Sequence, residues 1–150
     1  MQAPKKTLVA EAKTAIEACA GWNSRLAARR ITQFLDKRME SSGLGIAQFG
    51  LMAQIAAARD DTLGALALRT GLDQSTLSRN LRSLERDGLV EIAIVKNDLR
   101  RRAVWLTEKG ASALETALPV YRQAHAALGG LIDVELAHRM ANETRVLSDE

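Results

Sequence analysis

The stretch Gln74–Arg82 concentrates side chains suited to reading a nucleic acid. Gln74, Ser75, Thr76, Ser78, Arg79, Asn80 and Arg82 all fall there, and Gln74–Leu84 holds no acid. Arg pairs with guanine or phosphate, Asn and Gln pair with adenine, and Ser or Thr bond phosphate oxygens. A second concentration follows downstream. Seven Lys or Arg stand against four Asp or Glu between Arg79 and Arg102, and Lys96, Arg100, Arg101 and Arg102 are four of those seven. Basic residues beside a turn suit a phosphate backbone or a minor groove. Asp98 among them reads as an ion-pair brace for the turn. A solvent-facing helix surface that binds nothing would more often mix Glu with Lys, so the adjoining arginines weigh against an inert face.

Other chemistry finds little support. The chain has no phosphate-binding glycine loop, no HExxH and no nucleophile motif, so no enzyme and no cofactor are expected. His125 and His138 are isolated and far from Cys19, which argues against a metal site. Cys19 is the sole cysteine, so no intramolecular disulfide can form. It reads as a buried structural thiol. Redox sensing is the alternative, but Ala18, Ala20, Gly21 and Glu17 around it bring no activating positive charge.

The hydrophobic pattern sets out the elements that must hold these groups. Ile16, Ala20, Ala27, Ile31, Phe34, Leu35 and Met39 recur at helical spacing and predict a first amphipathic helix over 14–41. Its start is open, because 7–13 is also Ala-rich and Gly21 weakens the middle. Gly43 and Gly45 mark a break. A second helix over 46–57 should turn Ile46, Phe49, Met52, Ala53 and Ala56 inward, with Gly45 at its N-cap and Gln48 reaching back. Thr62 should cap a short third helix with Leu63, Leu66 and Ala67 inside, ending at Gly71. Asp73 should cap a fourth, with Leu77, Leu81 and Leu84 on its buried face and Gly88 at its end. Two helices joined by a short glycine-containing turn are the signature of a helix-turn-helix.

The period then changes to two. Val90, Ile92 and Ile94 alternate with Glu91 and Ala93 as a strand, 96–101 is a polar hairpin tip, and 102–106 returns. Thr107 should cap a long helix carrying Leu114, Leu118, Tyr121, His125 and Leu128 on one face, kinked at Pro119. Gly129 and Gly130 end it, and Asp133 caps a last helix with Leu136, Met140 and Leu147.

Composition fits this reading. At 150 residues and 47% hydrophobic content, the chain can bury a core without disulfides or metals. The net charge of +3 permits a nucleic-acid partner without demanding one. No apolar run approaches the roughly 20 residues of a membrane span. Glu11, Lys13 and Glu17 interrupt the N-terminal apolar stretch, which therefore fails as a signal-peptide core. A soluble, cytoplasmic protein with no membrane partner is expected.

The run Leu72–Gly110, LDQSTLSRNLRSLERDGLVEIAIVKNDLRRRAVWLTEKG, resembles the winged-helix core of the MarR (multiple antibiotic resistance) regulator family. The likeness rests on Ser75-Thr76 with Arg79, Leu84-Glu85 before Gly88-Leu89-Val90, Asp98 with Arg100, and Leu106-Thr107 with Gly110. Upstream, Gln48-Phe49 and Leu66-Ala67 fall where that family has them, so the likeness covers nearly the whole chain. It implies a mainly α fold with a small β-hairpin wing: a winged helix-turn-helix core over 46–106, flanked by dimerisation helices over 14–41 and 108–148, in one domain.

By the resemblance the protein is a homodimeric transcription regulator, most often a repressor, on a palindromic double-stranded DNA operator. Its recognition helices would enter successive major grooves about 34–36 Å apart. The family's minor-groove arginine falls on Arg100 or Arg101, with Asp98 as its partner. Ile92 stands where many members carry an arginine, which implies one phosphate contact fewer. Members release DNA on binding small aromatic or phenolic effectors, and Trp22, Arg25, Arg29, Trp105 and His125 are the candidate pocket here. The plainer reading makes the tryptophans core, the arginines solvated and His125 a satisfied interface residue. A different class of function, a winged helix serving only protein interaction, tends to replace the recognition-face arginines by acids or apolar groups, and this chain keeps them.

Overall fold

Asp36 reaches ten residues along the chain to accept a hydrogen bond from the Ile46 backbone N–H at 2.7 Å, and the winged core begins from that contact. In the computed structural model, residues 5–58, 62–96 and 98–149 are described, and the side chains of 98–100 and 149 lie outside that description. The chain divides into two units, Met1–Phe34 and Leu35–Glu150.

In the first unit, helix α1 (Lys6–Ala18) is followed by α2 (Ala20–Met39), which runs on into the second unit. The single helix expected over 14–41 is therefore two helices, with an earlier start and a break at Cys19. The backbone of Cys19 is extended (φ −69°, ψ 111°). Asn23 Nδ2 donates to the Glu17 carbonyl at 3.0 Å, and the Trp22 N–H reaches Cys19 Sγ at 3.4 Å. These bonds take up backbone groups that a helix break leaves without partners. The exposed Leu8, Val9, Ile16 and Trp22 leave this unit with apolar surface and no buried residue in α1.

In the second unit, α2 ends in a 3-10 turn (Glu40–Ser42), followed by α3 (Ile46–Ala57), α4 (Leu63–Thr70) and α5 (Gln74–Arg86). Gly45 occupies the N-cap of α3, and its N–H donates to Gln48 Oε1 at 3.2 Å, as its sequence suggests. The inward face of α3 differs from expectation: Phe49 and Met52 are buried, but so are Leu51 and Ile55, while Ala56 is exposed. Helix α3 packs against both α4 and α6, so a wider stripe than one helix face is covered. Thr62 caps α4 by accepting from the Ala65 N–H at 3.3 Å, Leu66 is fully buried, and Gly71 closes the helix in the left-handed conformation (φ 65°).

Strands β1 (Val90–Val95) and β2 (Asp98–Leu106) form a two-stranded antiparallel sheet. Pairing is regular from Val90 with Leu106 to Ile94 with Arg102, then jumps so that Val95 faces Asp98. Residues 99–101 thus form a bulge within β2 rather than belonging to an open tip, which corrects the expected hairpin. Beside the bulge Ile94 is 49% exposed, so the inward alternation ends at Ile92. On the other edge of β2, Ala103 bridges to Thr62 and ties the sheet to the start of α4.

Helix α6 (Glu108–Gly129) runs unbroken through Pro119. Thr107 caps it, and Gly110, Leu114, Ala117, Ala124 and Leu128 are buried along it. Tyr121 stacks on Phe49 of α3 with ring centroids 4.5 Å apart. Asp133 caps α7 (Val134–Glu143), accepting from the Glu135 N–H at 3.0 Å, and a 3-10 segment (Thr144–Asp149) follows. Leu136, Met140 and Leu147 are exposed here.

Candidate nucleic-acid interface

The amphipathic pattern of α5 sorts its side chains cleanly. Leu77, Leu81 and Leu84 are buried at 3% exposure or less, which fixes the roll of the helix and turns the polar residues outward. Asp73 fixes where it starts. Its carboxylate accepts from the Thr76 N–H at 2.9 Å, the Ser75 hydroxyl at 2.7 Å and the Thr76 hydroxyl at 2.8 Å. The Ser75 hydroxyl above all, then the Thr76 backbone and hydroxyl, hold the Asp73 carboxyl far below the usual carboxylate range.

That cap revises the sequence reading. The hydroxyl protons of Ser75 and Thr76 are directed to Asp73, so in this geometry both residues organise the helix start rather than offer donors to phosphate. Gln74, Ser78, Arg79, Asn80 and Arg82 are exposed and, among the described residues, have no side-chain hydrogen bond or ion pair. An exposed set of two guanidiniums, two amides and a hydroxyl carries the donors and acceptors that base edges and phosphates require.

The wing stands beside this face. A groove of about 680 Å³ runs between α4, the first half of α5 and β2, with Gln74 and Ser78 on one wall and Arg101 and Arg102 on the other. Arg102 also borders an adjoining recess with Arg82 and Ile92. Arg101, in the bulge, and Arg102, the last residue of the regular pairing, thus line the groove opposite the outward face of α5, and both are exposed. Lys96 is exposed at the end of β1. The side chains of Asp98 and Arg100, and with them the expected brace and one of the two candidate wing-tip arginines, lie outside the described residues. Ile92 is half-buried, as befits a wall of the recess.

The effector-pocket candidates are divided between the two units. Trp22, Arg25 and Arg29 are exposed on α2 in the first unit. In the second, Trp105 is 38% exposed on β2, and half-buried His125 lies 5.5 Å from Tyr121 on α6. Neither Trp105 nor His125 lines any of the cavities around α5. The expectation of core tryptophans is corrected, since Trp22 is 58% exposed. Cys19 is also exposed, contrary to the buried thiol expected, as is every residue from 5 to 23. No cluster of three or more His, Cys, Asp or Glu able to hold a metal occurs among the described residues. Nor is any helix among them long and apolar enough to cross a membrane.

One arrangement escaped the sequence reading. The start of α6 grips the turn that ends α5: Thr107 Oγ1 donates to the Gly88 carbonyl at 2.6 Å, and Lys109 Nζ donates to the Asp87 carbonyl at 2.8 Å. The spacing of Thr107 and Gly110 was visible, but their partners 19 and more residues upstream were not.

A helix-turn-helix with a two-stranded wing folded against its second helix defines a winged-helix protein. Residues 42–101 match the sequence profile of the MarR family. The Mycobacterium tuberculosis transcriptional regulator MosR, solved in complex with DNA, is 33% identical with a TM-score of 0.78, over 87% of this chain and 97% of that one. The chain belongs to the MarR family of transcription regulators. A mutant Escherichia coli MarR with operator DNA shares the fold at 24% identity, with a TM-score of 0.73 over 89% of this chain and 96% of that one. An HTH-type transcriptional regulator of Bacillus cereus is 33% identical over 87 residues, 58% of this chain, and the match spans 57% of that relative's length.

Proposed function

We propose that the chain is a sequence-specific double-stranded DNA-binding transcription regulator acting as a homodimer on a palindromic operator. The observation that carries this reading is the face of α5. Gln74, Ser78, Arg79, Asn80 and Arg82 stand outward with no side-chain hydrogen bond or ion pair among the described residues, and Arg101 and Arg102 border the groove beside them. The solved MosR and MarR complexes with DNA support it. Residues 46–106 are the DNA-binding core in this reading, with the helices on either side as dimerisation elements. Exposed Leu131, Ile132, Leu136, Met140, Val146 and Leu147 in the second unit, and Leu8, Val9 and Ile16 in the first, supply the apolar surface that a partner protomer would cover.

The regulator acts as a repressor released by a small aromatic or phenolic effector, by analogy with the fold shared with a Streptomyces coelicolor regulator, PcaV, solved with its natural ligand. Release follows if the effector prefers a dimer whose recognition helices are misplaced. Trp22, Arg25, Arg29, Trp105 and His125 remain the candidate residues for it. Oxidation of Cys19 is a second release mechanism, favoured by the exposure of that thiol. Cys19→Ser should abolish peroxide-induced release and leave effector-induced release intact.

The test of DNA binding is retention on random duplex and on a selected operator across a salt series. Phosphate-driven binding falls steeply with salt, whereas an apolar protein interface does not. Arg79→Ala should weaken operator binding by about 1–3 kcal/mol while leaving binding to random duplex nearly unchanged. Unchanged operator affinity in that variant would remove Arg79 from the recognition set.

A further inference from the structure

Helix α5 ends in a tight turn with its own hydrogen bonds complete: the Gly88 N–H donates to the Glu85 carbonyl and the Leu89 N–H to the Leu84 carbonyl, each at 2.9 Å. Gly88 is left-handed there (φ 74°), so this is a Schellman closure. What remains are the carbonyls of the turn itself. Three in succession point at the start of α6, and each is taken. Lys109 Nζ donates to Asp87 O at 2.8 Å, Thr107 Oγ1 to Gly88 O at 2.6 Å, and the Thr107 N–H to Leu89 O at 3.1 Å. Thr107 Oγ1 meanwhile accepts from the Gly110 N–H at 3.0 Å, so one hydroxyl joins the end of α5 to the first turn of α6.

Sterics close the joint further. A Cβ on Gly110 would collide with the Leu89 carbonyl oxygen, so α6 and this turn are in backbone contact. Both Gly110 and Leu89 are buried. At the opposite end of α5, among the described residues, the Asp73 carboxylate bonds only to Ser75 and Thr76 of the same helix. The recognition helix is thus held by hydrogen bonds to α6 at its C-terminal end, while the groups that would read bases start at Gln74.

We propose that Thr107, Lys109 and Gly110 form a joint that sets the angle of the recognition helix on α6, and so are positioning residues for binding two half-sites at a fixed separation. This rests on the reading of α6 as a dimerisation helix and of α5 as the DNA reader. The leverage is large. Helix α5 has 13 residues, about 20 Å in length, so a tilt of roughly 10° at the joint moves Gln74 by about 3 Å. That shift is enough to take a side chain out of hydrogen-bond reach of a base edge.

The experiment uses the full chain and an inverted-repeat duplex selected by the wild type from random sequence. Affinity is measured for that duplex, for versions with one base pair inserted or removed between the half-sites, for a single half-site and for random duplex. The wild type should prefer its own spacing by about tenfold. Thr107→Val and Lys109→Met should each lower that preference to about threefold or less, and Thr107→Ser should retain it. Binding to random duplex and its salt slope should not change in any variant.

Lys109 is exposed, so Lys109→Met tests the joint even where Thr107→Val fails to fold. Variants that keep the wild-type spacing preference would overturn the proposal. So would variants that lose affinity for one half-site and for two in equal proportion, since that is a merely structural loss. A wild type that binds no duplex at all overturns the DNA-binding reading itself, and the joint's role with it.

Discussion

Removing the carboxylate of Asp36 should weaken the start of α3 in a way that glycine at position 45 makes measurable. Asp36 Oδ1 accepts from the Ile46 N–H at 2.7 Å, which places a negative charge at the positive end of α3. Gly45 has no side chain to offer as a cap, and a Cβ added there would lie 3.3 Å from the same oxygen. The contact stands in for the N-cap oxygen that a Ser or Thr would provide. Losing an N-cap oxygen costs about 0.5–2 kcal/mol, and the exposure of Asp36 favours the lower half, about 1 kcal/mol.

With a urea slope of roughly 1–3 kcal/mol per molar, Asp36→Ala should lower the unfolding midpoint by about 0.3–1 M. Asp36→Asn, which keeps an acceptor but not the charge, should fall between. The decisive comparison is Gly45→Ser in both backgrounds. Beside Asp36 the new Cβ is crowded and the gain should be near zero, whereas after Asp36→Ala a serine cap should restore about 0.5–1 kcal/mol. Chemical unfolding followed by circular dichroism at several protein concentrations reads all four states and separates dissociation of the proposed dimer from unfolding. Equal effects of Gly45→Ser with and without Asp36 would refute the argument that the carboxylate is the cap.

Three further outcomes can be checked directly. Arg101→Ala with Arg102→Ala should reduce the steepness of the log–log salt dependence of DNA binding by about two, and an unchanged slope would show that these arginines do not meet phosphates. The lowered pKa of Asp73 means that its capping contribution is fully present above the unfolded carboxylate pKa of about 4 and is lost as pH falls below it toward the folded value. The midpoint difference between wild type and Asp73→Asn should therefore hold steady from neutral pH to about 5 and narrow below about 4; a gap of the same size at pH 3 contradicts the cap. Leu136→Glu with Leu147→Glu places charge on exposed apolar positions of the second unit, and should yield a helical monomer in sedimentation, whereas an intact dimer would place the interface elsewhere.

Local signals carried much of this fold because they act over one or two turns. Thr62, Asp73, Thr107 and Asp133 each cap the helix that follows them, and Gly71 and Gly88 close helices with positive φ, because capping and left-handed closure are decided within a few residues. The outward polar face of α5 was equally legible, since Leu77, Leu81 and Leu84 fix the roll of the helix by period alone. What period could not decide was anything set by a distant partner. The bulge within β2, the Asp36 cap and the grip of Thr107 and Lys109 on the end of α5 all depend on which backbone groups meet in space. The sequence by itself thus determined a winged helix whose α5 turns a polar, acid-free face outward. Only the tertiary structure decided that Ser75 and Thr76 serve the cap, and that α5 is held from its C-terminal end, because a hydrogen bond is specified by both of its partners and a sequence motif displays only one.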